Sequence, residues 1–115
     1  MPRTRSLRDL IGSLTTFLRL SGPEFGRIVG ASTRTVERWR ANETYPQHES
    51  RQRLDDLESL VQRLDATFKT PDGARLWLTS DSGYFGGLKP IEALLTGRID
   101  TVDAALESLD SGVFV

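Results

Sequence analysis

Arg34 and Arg38 stand four residues apart behind a serine, Ser32, of the kind that caps helices. A guanidinium offers planar, paired donors that match phosphate oxygens and guanine edges, so two of them on one helix face suit contact with a nucleic acid. The stretch from Pro23 to Trp39 supplies the frame that would position them. Phe25, Ile28 and Val29 recur at i, i+3 and i+4 and give a short helix one apolar side. Gly30 stops that helix, because glycine takes the left-handed conformation of a tight turn without a Cβ clash. Ser32 then opens a second helix over Thr33 to Arg40, with Val36 and Trp39 inward and Arg34, Glu37, Arg38 and Ala41 outward. Gly26 falls where the two helices should cross. This is the grammar of a helix-turn-helix. Its expected DNA contacts are Ser32, Thr33, Arg34, Glu37, Arg38 and Arg40. The same motif can also serve as a dimer or docking surface.

Charge is divided between the two halves. The whole chain carries 15 basic and 16 acidic residues, which argues against a generic nucleic-acid binder. Residues 1–53, however, hold ten arginines and no lysine against five acids, and residues 54–115 hold five basic residues against eleven acids. A positive half attracts phosphates and an acidic half repels them, so the halves should have different partners.

Other chemistry finds little support. With no cysteine there is neither a disulfide nor a thiolate metal site, and a reducing cytoplasmic home is expected. The one histidine, His48, sits two residues after Pro46 at a helix start and reads as a solvated cap residue. Gly86-Gly87 lacks the Lys and Ser or Thr of a phosphate-binding loop, and Asp55-Asp56 lie on a solvated helix face. No enzyme, metal or cofactor is therefore expected. Arg3, Arg5 and Arg8 precede apolar residues as in a secretory leader, but Asp9, Gly12, Ser13 and Arg19 interrupt the run. No segment reaches membrane-spanning length. A hydrophobic content of 37% allows a modest core, shaped as one compact domain or two small lobes.

The remaining elements read as helices throughout, giving an all-α fold. Ser6 to Leu20 sets Leu7, Leu10, Ile11, Leu14, Phe17 and Leu18 on one face, with Ser6 and Asp9 as a capping pair. A loop over Ala41 to Pro46 leads to a long helix from near His48, whose Leu54, Leu57, Val61, Leu64 and Phe68 form a narrow seam. That seam either covers the core of the front lobe or pairs with a second copy. Thr70, Pro71, Asp72 and Gly73 should end the helix with turn chemistry. A short apolar piece around Leu76, Trp77 and Leu78 precedes a loop from Thr79 to Gly87. Pro90 opens the next helix, which Gly97 ends. Asp100 caps the last one, with Asp103 completing the cap, Val102, Ala105, Leu106 and Leu109 as its apolar face and Gly112 as its stop. Val113, Phe114 and Val115 follow, and three apolar residues there call for a partner surface, either within the fold or on another protein. The division expected is a DNA-binding lobe with connecting helix over 1–69 and a second helical lobe over 70–115.

The front half resembles helix-turn-helix domains of the Xre type. The back half carries Trp77-Leu78, Gly86-Gly87, Pro90, Leu94-Leu95, Gly97, Val102, Leu106 and Gly112 in the order found in the toxin-binding domain of the Xre/MbcA/ParS antitoxin family. The ending Gly112-Val113-Phe114-Val115 is most similar to mycobacterial members. The resemblance covers roughly residues 6 to 115. It implies an antitoxin of a type II system that binds a cognate RES-domain toxin, a destroyer of NAD, and puts its C-terminal region into the toxin's active-site cleft. It also implies repression of its own operon through operator DNA and a homo-oligomer within the toxin-antitoxin complex. A toxin cleft that draws in an anionic substrate with basic residues could take an acidic, apolar-tipped helix instead. On that view Tyr84, Asp103, Glu107, Leu109, Asp110, Val113, Phe114 and Val115 face the toxin. The other reading of the residues is a free-standing regulator whose acidic half dimerises or senses a ligand.

Overall fold

Seven α-helices and one short 3-10 turn make up the computed structural model, which describes residues 6–111, with Tyr84 in its backbone only. Helix α1 runs from Leu7 to Leu18, α2 from Gly22 to Val29, α3 from Thr33 to Arg40 and α4 from His48 to Phe68. After them come α5, Pro71 to Leu78, the 3-10 turn over Gly83 to Phe85, α6 from Pro90 to Leu95 and α7 from Ile99 to Ser111.

Local signals explain most of these limits. Ser6 Oγ accepts the Asp9 N–H and starts α1. The helix stops at Leu18, two residues before the expected end, because Arg19 turns left-handed (φ 57°) and Leu20 N–H closes back on the Thr15 carbonyl. A full capping box starts α2: Glu24 N–H donates to Ser21 Oγ at 3.2 Å while Ser21 N–H donates to Glu24 Oε1 at 2.9 Å. Gly30 ends α2 in the left-handed region, as its position in the sequence implies.

Two further boundaries depart from expectation. Thr70 to Gly73 do not simply end α4; Thr70 Oγ1 accepts the Gly73 N–H and Pro71 occupies the first turn, so these residues begin α5. Threonine, proline and an acid in this order serve a helix N-terminus as well as a turn. Helix α7 starts at Ile99, which is buried, so Asp100 lies inside the first turn rather than before it. The expected stop at Gly112 lies outside the described residues.

The core runs the length of α4. Leu54, Leu57, Leu60 and Leu64 are buried there, and α1, α2, α5 and α7 all pack around that helix. The leucine seam is thus covered within the chain, and Leu60 belongs to it while Val61 lies at its edge. Phe25, Ile28, Val36 and Trp39 from the front join Ala74, Leu78, Leu94, Val102 and Leu106 from the back in one continuous cluster. At roughly 1.5–3 kcal/mol for each fully buried large side chain, this shared interior dominates stability. The polar ties between the halves lie at its rim: Arg75 donates to the Leu18 carbonyl and Arg19 pairs with Asp72.

Candidate functional site

Helix α3 holds the first candidate face. Its N-cap Ser32 accepts the Thr35 N–H at 3.1 Å and donates to Thr35 Oγ1 at 3.0 Å, which fixes the start of the helix. Val36 and Trp39 are each 3% exposed, so the helix is anchored by its inner side. Ser32, Thr33, Arg34, Glu37 and Arg38 stand exposed on the other. Arg34 makes no ion pair among the described residues, and Arg38 Nε lies 3.8 Å from Glu43 Oε1, a loose pair that a phosphate or base could displace. Arg40 differs from its neighbours: it is half-buried and Nη2 donates to Thr15 Oγ1 at 3.4 Å, against α1. Its guanidinium braces α3 rather than standing out with the others.

The starts of α3 and α4 open on one recess, lined by Ser32, Thr35, Arg38, Tyr45, Gln47 and Ser50. Tyr45 is 66% exposed, and Gln47 caps α4 without a side-chain hydrogen bond, leaving first-turn N–H groups to solvent. Backbone donors, an arginine and an exposed phenol along one edge can hold a phosphodiester backbone while Arg34 reaches a groove. The Tyr45 loop joins this face only in three dimensions; an aromatic residue next to Pro46 was its one signal in the sequence.

The second candidate face lies on α7, where three of the expected partner residues also have partners within the chain. Asp103 and Glu107 both pair with Arg63 of α4, at 3.4 Å each, and Asp110 accepts a hydrogen bond from Thr67 Oγ1 at 3.0 Å. This acidic stripe fastens α7 to α4. Leu109 is 42% exposed and continues the stripe of Val102, Ala105 and Leu106 beyond the core. The backbone of Tyr84 sits in the 3-10 turn, whereas Val113, Phe114 and Val115 fall outside the described residues. Apolar surface that sequence reasoning missed appears at Leu76 (69% exposed) and Leu88 (60%). Leu88 borders a groove with Phe85, Ala93, Arg98 and Thr101. Leu76 escaped notice because a run of Leu76, Trp77 and Leu78 reads as wholly inward, and only α5's helical turn sends its first member out.

Among the described residues every buried side chain is apolar and no cluster of His, Asp or Glu could hold a metal ion. No helix there is long and apolar enough to cross a membrane.

The described residues make a small all-helical protein that carries an arginine-bearing helix, α3, and an acidic helix, α7. No family model matches the chain. It is 35% identical over 98 residues to the mycobacterial cidal antitoxin MbcA of Mycobacterium bovis and, to the same extent, of Mycobacterium tuberculosis; the match covers 85% of this chain and 86% of each relative. Its fold superposes on a chain of the crystal structure of the M. tuberculosis MbcT-MbcA toxin-antitoxin complex with a TM-score of 0.69 and 31% identity, covering 97% of this chain and 100% of the other. The chain belongs to the MbcA antitoxin family.

Proposed function

We propose that this chain is the antitoxin of a toxin-antitoxin pair, that it neutralises a RES-domain toxin degrading NAD, and that it represses its own operon from the cytoplasm. The observation that carries the reading is the agreement with a chain of the MbcT-MbcA complex over that chain's whole length, at an identity too high for shared fold alone. The toxin class comes from the family resemblance. Leu109 and the apolar residues Val113, Phe114 and Val115 are the side chains that would enter the toxin cleft, with Tyr84 as a further toxin contact. Asp103, Glu107 and Asp110, which also meet Arg63 and Thr67 within the chain, would supply the acidic part of that contact. The protein forms a homo-oligomer inside the complex.

The deciding experiment is co-expression of the tagged chain with the toxin encoded beside it. A stable complex that leaves NAD intact, and a toxin that consumes NAD once released, is the expected result. Failure to co-purify would leave a free-standing regulator as the reading.

Operator binding has its own test. If Arg34 or Arg38 reaches a base edge, replacing either with alanine costs roughly 1–3 kcal/mol and relaxes sequence preference. Gel shifts on the upstream region that look alike for wild type and the Arg34→Ala, Arg38→Ala double variant would remove α3 as the reading helix.

A further inference from the structure

Arg53, on α4, occupies a place that neither proposed surface accounts for. Its side chain is 32% exposed, with Nη2 at 3.3 Å from Glu49 Oε2 and Nη1 donating to the Ile28 carbonyl of α2 at 3.4 Å. A Cβ added at Gly30 would lie 3.1 Å from Nη1, and one at Gly97 would lie 3.0 Å from the same atom and 3.7 Å from the Ile28 carbonyl oxygen. Both glycines are left-handed, at φ 77° and 85°. One guanidinium therefore fills the space between the turn that launches α3 and the turn that joins α6 to α7. Helix α2 also packs on α6 directly.

We infer that Arg53 is a positioning residue for sequence recognition by α3, holding the Gly30 turn against the Gly97 turn so that the C-terminal helices help to aim the DNA-reading face. The inference rests on the DNA reading of α3. The Gly30 turn sets the position of Ser32, the cap from which α3 runs, so a shift at Ile28 and Gly30 is carried straight into Arg34 and Arg38. A guanidinium is needed because its fork serves the Ile28 carbonyl and the Glu49 carboxylate from two nitrogens at once, whereas a lysine ammonium is a single point. Glycine is needed at both turns because the left-handed backbone and the nearness of Nη1 act together.

The test uses the full chain as wild type, Arg53→Ala, Arg53→Lys, Gly97→Ala and the Arg53→Ala, Gly97→Ala double variant. Fluorescence anisotropy compares a duplex from the region upstream of the coding sequence with a scrambled duplex over a range of salt, at a temperature where circular dichroism shows every variant folded. Arg53→Ala and Gly97→Ala should each lower the ratio of the two affinities at least about fivefold, the loss expected when a base contact is displaced. Arg53→Lys should not restore it. The salt slope should hold, because no phosphate contact is removed; a lost contact would lower it by about 0.9. In thermal melts the double variant should lose less than the two single losses together, since the methyl added at Gly97 enters space that Arg53→Ala has emptied.

A salt slope lowered by one contact with the ratio intact would make Arg53 a phosphate ligand and end the positioning role. So would a Gly97→Ala chain with wild-type discrimination, or strict additivity in the melts. A wild-type chain that does not distinguish the duplexes would overturn the DNA reading itself, while additivity in the melts is decided without any DNA.

Discussion

Replacing Gly26 with alanine should unfold this protein more readily, although alanine is the better helix former. A Cβ at Gly26 would stand 2.4 Å from the Ala31 carbonyl oxygen and 3.5 Å from its carbon. Carbon and carbonyl oxygen ordinarily meet at about 3.3–3.6 Å, so the turn would have to retreat by about 1 Å. The retreat is resisted, because the Gly26 carbonyl accepts the N–H groups of Gly30 at 2.8 Å and Ala31 at 2.9 Å and ties the turn to the helix. Overpacking of this kind costs about 1–3 kcal/mol, the strained hydrogen bonds about 0.5–1.5 kcal/mol each, and alanine returns about 1 kcal/mol in helix propensity. The net loss is about 1–5 kcal/mol, which lowers the melting temperature by roughly 4–20 °C in a domain of this size. Gly12 is the control: it lies inside α1 with nothing within 4 Å of an added Cβ. Gly12→Ala should therefore stabilise the chain, by up to about 1 kcal/mol. Urea titration followed by far-ultraviolet circular dichroism measures both. Two shifts of the same sign, or a loss at Gly26 below about 0.5 kcal/mol, would refute the reasoning.

Ser21→Ala removes one arm of the capping box and should cost about 1 kcal/mol in thermal unfolding. Arg63→Ala releases Asp103 and Glu107 together; because all three are substantially exposed, the loss should stay below about 1 kcal/mol and fade in high salt, as paired melts at low and high ionic strength will show. Phe114→Ala should weaken toxin binding by about 2–4 kcal/mol in calorimetry, the range of an interface anchor, with unchanged affinity counting against a role for this side chain.

The front of the molecule was legible because its signals are local. Gly30, Ser32, Val36 and Trp39 lie within ten residues of one another, and each does what its type and spacing imply. Gly26 is expected where the two helices cross, yet its close neighbour is the Ala31 carbonyl of the turn and not the facing helix. Where a residue's partner lies far along the chain, the sequence is silent. Nothing near Asp103 or Glu107 names Arg63, so an acidic stripe looks the same whether it meets solvent, a toxin or α4. The same holds for Arg53 between two distant glycines, and for Arg40, whose partner Thr15 lies a helix away on α1. Thr70 to Gly73 were ambiguous for another reason, since one set of residues ends helices and begins them.

The leucines of α4 have a consequence for the lifetime of the protein. Helices from both ends of the chain lean on Leu54, Leu57, Leu60 and Leu64, so the two ends share that part of their interior. Opening should be a single all-or-none event, and a chain caught open presents every helix at once to a protease. A cut near residue 70 would free the helices α5 and α7 that cover one side of these leucines. Both faces of the molecule would then disappear at one rate, set by the population of one open state, and a measurement of either would serve as a clock for the other.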